Sequence, residues 1–158
     1  MSPFENQSLS IESLGSFEVP SGRLVVADPV YLNHKDLAVV IANAKPGRWM
    51  ATVARGSSYG PYVASVTVFH ETELHRDGAV DRERMHSVGV DTARVCIVDA
   101  RSIGCYENAE LAPGLKPDRF GLMVPSGFGD SIYSACVREY AGQAVSMRIV
   151  FIETEGTK

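Results

Sequence analysis

The side chains with the greatest chemical reach in this chain are four aspartates, Asp28, Asp91, Asp99 and Asp130, each placed where a strand-like run stops or starts. Strand ends converge in a sandwich, so some of these carboxylates could gather into an oxygen-rich site for a hard cation, or form a general acid–base pair. Each could instead cap a turn, because aspartate readily accepts backbone N–H bonds. Their spacing follows no metal-ligand pattern, and turn capping is the expectation. The histidines are His34, His70, His75 and His86. His70 and His75 lie five residues apart, on different sides of a helix and on opposite faces of a strand, which is poor ligand geometry. The string from His70 to His75 is one residue too long for the zinc-protease pattern His-Glu-x-x-His. Their expected setting is a solvated loop, and neither a metal nor a cofactor is expected.

Ser126-Gly127-Phe128-Gly129-Asp130-Ser131 is the least ordinary stretch. A glycine-rich backbone can wrap an anion with its N–H groups, but a phosphate cradle usually opens a helix and often brings a lysine. Neither accompanies this segment, and the nucleophile-elbow pattern Gly-x-Ser-x-Gly is missing. The structural expectation is a bulged turn that the glycines permit and Asp130 ties together. Cys96, Cys105 and Cys136 form no Cys-x-x-Cys pair, and Cys96 and Cys136 fall inside apolar strand-like runs, where a thiol is buried and inert.

The elements that must position these residues are mostly strands. Val145, Met147, Ile149 and Phe151 alternate with Ala144, Ser146, Arg148 and Val150, which puts large apolar groups on one face and a mixed set on the other. Residues 132–140 also read as extended, with Tyr133, Ala135 and Val137 on one side. Ala141-Gly142 between the two runs supplies a tight hairpin turn. A second hairpin is expected from residues 48–55 and 62–69, entered by Pro46-Gly47 and joined through the turn-rich residues 57–61. Further strands are expected over 24–27, 93–99 and 120–124. Residues 37–43 read as a helical turn capped by Asp36, against the β-branched Val39, Val40 and Ile41. A second helix candidate lies within 81–87, and residues 71–86 read as mobile surface. The sum is a mainly β protein, an antiparallel β-sandwich or partly open barrel with at most one or two short helices.

At 158 residues the chain is long enough for one domain with a real core. A flexible N-terminal segment over residues 1–16 and a single β-rich domain over 17–153 are expected. With 45% apolar and 22% charged residues the balance is globular. A net charge of −4 shows no basic face, so no nucleic-acid partner is expected. Residues 1–16 lack a basic start followed by an apolar stretch, and the longest aliphatic run, 37–42, is far too short to span a bilayer. With its odd, unpaired cysteines, the chain is expected in a reducing cytoplasm and away from membranes.

Several strings, in order along the chain, resemble a bacterial and phage family known as domain of unknown function 4241. That family carries Ser-Gly-x-Gly-Asp-Gly-x-Tyr near its C-terminus; here the matching residues are Ser126, Gly127, Gly129, Asp130 and Tyr133, with Ser131 in place of the last glycine. Its opening resembles Gly22-Arg23-Leu24-Val25-Val26-Ala27-Asp28-Pro29, and its Pro-Gly-aromatic strand entry resembles Pro46-Gly47-Arg48-Trp49. A central Val-Asp-Ser-Gly string is similar to Val90-Asp91-Thr92-Ala93, where both small residues differ, and the family's ending resembles Arg148-Ile149-Val150-Phe151. The resemblance implies a β-rich fold and transfers no activity. It raises Asp28, Asp91 and Asp130 as the first positions to consider, and with Gly129 and Tyr133 these are the candidate ligand-binding residues.

Without a nucleophile–base pair, metal motif or cofactor fingerprint, the expected function is a non-catalytic binding module. Its partner would be a protein or a small ligand, and a homo-oligomer is compatible with the sequence. Immunity or anti-defence roles, which work by blocking a partner, suit a small acidic protein of this kind. The alternative is a divalent-metal-dependent hydrolase using the strand-end aspartates.

Overall fold

The computed structural model describes residues 9–57, 61–105, 113–115, 118–127 and 129–152. Where β-branched and aromatic residues are dense, the chain is extended: β1 (Ser10–Val19), β2 (Leu24–Ala27), β3 (Val39–Ile41), β4 (Gly47–Gly56), β5 (Tyr62–His70), β6 (Arg82–Val90), β7 (Arg94–Asp99), β8 (Gly114–Leu115), β9 (Gly121–Pro125), β10 (Ser131–Tyr140) and β11 (Gln143–Val150). They form a six-stranded sheet in the order β1-β4-β5-β11-β10-β6 and a five-stranded sheet in the order β3-β2-β7-β9-β8. Neighbouring strands within each sheet run antiparallel. The architecture is a β-sandwich rather than a barrel.

The alternation seen in the sequence sets the faces. Ala135 and Val137 of β10, Met147 and Ile149 of β11, and Trp49, Ala51 and Val53 of β4 all point inward and are buried. They meet Leu24 and Val26 of β2, Val95 and Ile97 of β7, and Leu122 and Val124 of β9 in one core. Trp49 is fully enclosed, and its indole N–H donates to the Lys45 carbonyl at 2.8 Å, so its polar atom is satisfied inside the core.

Both expected hairpins form. In the β10–β11 hairpin Tyr140 faces Gln143 across the two-residue turn Ala141-Gly142. In the β4–β5 hairpin Gly56 faces Tyr62, and residues 58–60 of its turn lie outside the described residues.

Four expectations are corrected. Residues 39–41 of the expected helical turn form β3, where β-branched side chains pair with β2 and outweigh the cap at Asp36. Residues 82–87 of the second helix candidate belong to β6, which pairs along its whole length with β10. The same strand and a 3-10 helix over Glu71–His75 remove most of the expected mobile surface at 71–86. The N-terminal segment is ordered from Ser10, because β1 adds to the edge of the larger sheet beside β4. Residues 1–8 and the expected domain limit at 153 lie outside the described residues.

The two sheets differ on their outer faces. On the smaller one, Val25, Ala27, Cys96, Val98 and Met123 pack under Tyr31, Leu32, Ala38, Ala100 and Ile103, from the segments after β2 and β7. On the larger one, Leu9 and Ile152 pack over one end, around Ala54, Tyr62 and Ala64. The rest of that face, across β6, β10, β11 and β5, forms a groove.

Candidate functional site

Three of the four aspartates meet at one corner, around the turn at residues 91–93 between β6 and β7. Asp28 ends β2 where Pro29 stops the ladder, and its carboxylate is completely buried. It accepts from the Val30 amide at 3.0 Å, the Asp91 amide at 2.9 Å, the Thr92 amide at 2.6 Å and the Thr92 hydroxyl at 2.9 Å. Four donors occupy the lone-pair sites that a cation would need. Asp91 accepts from the Tyr31 hydroxyl, and Asp130 accepts from the Ala93 amide at 2.8 Å. The bond to Asp91 raises the Tyr31 pKa, with burial and the charges of Asp91 and Asp28 adding to it.

Asp99 sits at the opposite end of β7. It accepts from the Ser21 amide at 3.0 Å, the Ser21 hydroxyl at 2.6 Å and the Arg101 amide at 3.0 Å. Asp28, Asp99 and Asp130 therefore each hold a turn through its amides, while Asp91 holds the Tyr31 hydroxyl. Among the described residues no group of three or more His, Cys, Asp or Glu side chains is arranged to hold a metal ion.

The glycine segment is held by other residues than expected. Gly127 and Gly129 have φ of 66° and 144°, as a turn of this shape requires. The buried Ser126 hydroxyl donates to the Gly129 carbonyl at 2.8 Å, and the Tyr133 hydroxyl donates to the same oxygen at 2.6 Å. Among the described residues Asp130 makes no bond within this turn; it reaches across to the neighbouring one at Ala93. Tyr133 also stacks edge-on against Phe151, with ring centroids 5.1 Å apart. Burial raises its pKa most, the charge of Asp130 adds to the rise, and a hydrogen bond with Ser126 opposes it. Tyr133 and Gly129 thus have structural partners, and Phe128 lies outside the described residues.

His70 departs most from its expected solvated loop: it is only 5% exposed. Its Nδ1 accepts from the Thr72 amide at 3.2 Å, while Nε2 lies 2.9 Å from the Pro46 carbonyl, which can only accept. The proton is therefore on Nε2. The ring caps the 3-10 helix and closes over Gly47, where a Cβ would come within 2.9 Å of Nε2.

The groove on the outer face of the larger sheet has a volume of about 860 Å³. Strand register builds its floor as a row across the sheet: Met85 of β6 faces Cys136 of β10, Cys136 faces Arg148 of β11, and Arg148 faces Thr67 of β5. One step along, Glu83 faces Arg138 and Arg138 faces Ser146. Arg138 and Glu83 form an ion pair at 3.4 Å. Cys136 Sγ lies 3.8 Å from the other Glu83 oxygen. Burial, then the charge of Glu83, raises the Cys136 pKa, so the thiol stays protonated and is a poor nucleophile. Cys136 is partly buried rather than enclosed, whereas Cys96 is fully buried as expected; the Cys105 side chain lies outside the described residues.

Arg148 stands apart in this row. Its Nε is shielded from solvent without a hydrogen-bond partner, and no hydrogen bond or ion pair reaches the side chain among the described residues. Reasoning from sequence motifs missed this site, because it arises from side chains of four strands brought side by side. The available signal was an arginine at an alternating position of a strongly β segment, on the face opposite Met147 and Ile149.

Comparison of the chain with family models, curated proteins and solved structures finds no match.

Proposed function

We propose that the chain is a non-catalytic binding module, and that its binding surface is the groove over β6, β10, β11 and β5 rather than the aspartate corner. One observation carries this reading: the outer face of the larger sheet holds an open 860 Å³ groove with an unpartnered arginine, while the corresponding face of the smaller sheet is packed over. Ligand sites are typically concavities of roughly this size with a few polar groups set among apolar ones. The residues lining the groove include no histidine, and its cysteine is held as a thiol, which supports binding over covalent chemistry. The resemblance to the bacterial and phage family, a cytoplasmic location and an immunity or anti-defence role belong to the same proposal. The net charge of −4 supports a partner other than nucleic acid. No described helix is long and apolar enough to cross a membrane.

The test is a titration of the ¹⁵N-labelled full chain with a panel of small amphiphiles of either charge. Saturable amide shifts should map to Thr67, Cys136, Ser146 and Arg148, with those of Asp28 and Thr92 unmoved. Shifts centred on the aspartate corner, or none at the groove with any compound, would refute the reading.

A further inference from the structure

We infer that the groove takes a small amphiphilic monocarboxylate, its head on Arg148 and its apolar body along Met85 and Ile132. This deepens the proposed function and rests on it. Two groove cations have different fates. Both have an Nε shielded from solvent without a hydrogen-bond partner, but Arg138 is ion-paired with Glu83 and one of its terminal nitrogens lies 3.4 Å from the Gly78 carbonyl. Arg148 has no ion-pair or hydrogen-bond partner among the described residues. A desolvated guanidinium donor without an acceptor is costly to maintain. Nε is closed to a ligand atom as it is to water, so an oxyanion is taken at the two terminal nitrogens, whose fork matches two carboxylate oxygens in one plane. Hydroxyls of Thr67, which faces Arg148 across β5, and Ser146, two residues before it, lie within the same groove and add donors.

The single uncompensated charge selects the head group. With Arg138 and Glu83 cancelling, the groove carries one net positive charge, matching a carboxylate rather than a dianionic phosphate. Beside this centre Met85 and Ile132 are 64% and 74% exposed, and both line the groove. Apolar side chains so exposed on a sheet face, next to an unpaired cation, suit a ligand that is apolar at one end and anionic at the other.

The probes are octanoate, octylammonium, acetate and inorganic phosphate, titrated into the ¹⁵N-labelled full chain near neutral pH. Octanoate should produce saturable shifts at Arg148, Cys136 and Thr67, with affinity at least about tenfold above acetate and phosphate. Octylammonium, of the same length but opposite charge, should produce none there. Arg148→Met, which keeps length and apolar volume, should weaken octanoate at least about tenfold, and Arg148→Lys by less, since charge remains and the fork is lost. Both variants should melt as cooperatively as the wild type.

Equal binding of octylammonium, or full octanoate affinity in a folded Arg148→Met protein, would overturn the anion assignment while leaving the groove a binding site. Tighter binding of phosphate than of octanoate would overturn the carboxylate and its apolar body. Absence of groove shifts with every probe would overturn both this inference and the reading beneath it. Should Arg148→Met fail to fold, Arg148→Lys alone decides: unchanged octanoate affinity there counts against a fork-bound carboxylate.

Discussion

Among the described residues, one buried carboxylate at Asp28 accepts four hydrogen bonds from two turns, and an exposed one at Asp130 accepts a single bond from Ala93. The residues look alike in sequence, each ending or preceding a strand, but their truncations differ in consequence. Asp28→Ala would remove a fully buried acceptor shared by three part-buried amides and a hydroxyl, at a cost of about 3 kcal/mol or more. A domain of this size shifts its midpoint about 2–4 °C per kcal/mol, so the melt should fall by roughly 6–12 °C. Asp130→Ala should cost about 1 kcal/mol, because water can satisfy the exposed Ala93 turn. Paired thermal melts in chelator-containing buffer measure both. A variant at either position that melts higher than wild type would point to relieved charge repulsion and reopen the metal reading.

At the scale of elements, the β10–β11 hairpin shows how local chemistry and backbone geometry agree. Ala141 and Gly142 have φ of 54° and 80°, the paired left-handed conformation of a type I′ turn. Glycine adopts it freely, but alanine there carries about 1 kcal/mol of strain. Ala141→Asn should therefore stabilise the protein by up to about 1 kcal/mol, raising the midpoint by a few degrees, since asparagine is favoured at that position. The backbone N–H of Ala141 donates to the Asp81 carboxylate at 2.8 Å, a bond that does not involve the replaced side chain and survives the change. A lower midpoint would show that the turn is not type I′ in solution. Elements without such a local signal were misread. Residues 82–87 carry Arg, Glu and Met, which are good helix formers, yet they form an edge strand because β10 offers a free ladder and Val88 and Val90 reach the core.

For the molecule as a whole, three tyrosine pKa values are raised: Tyr31 by its hydrogen bond to Asp91, and Tyr62 and Tyr133 by burial. The sign of the linkage follows: the unfolded tyrosines lose their protons near pH 10, while the folded ones hold them longer. The stability they contribute is complete below about pH 10 and is lost as pH rises through the raised folded values. Melting temperature should therefore fall steeply on the alkaline side of about pH 10, and Tyr133→Phe should flatten that limb while lowering the plateau. An alkaline limb of equal steepness in the variant would remove Tyr133 from the effect. The same global view explains the groove. One sheet has its outer face sealed by the chain segments after β2 and β7, whereas most of the other's outer face does not.

Alternation of period two along residues 132–140 and 144–151, with a turn dipeptide between them, was sufficient in the sequence to establish the β class, the faces and the C-terminal hairpin. These are local properties, because neighbouring side chains of a strand necessarily point to opposite sides. Aspartate at strand ends was likewise legible as turn chemistry. Which turn each aspartate holds was not: Asp130 is next to the glycine segment in sequence but bonds Ala93, 37 residues away. His70 read as loop surface until Pro46 and Thr72 closed around it. The groove was the least legible of all. Thr67, Met85, Cys136 and Arg148 are unremarkable singly, and they become a row only when β6, β10, β11 and β5 pair in one register. Register depends on summed burial across strands far apart in the chain, so tertiary structure alone decided which of the charged residues was left without a partner.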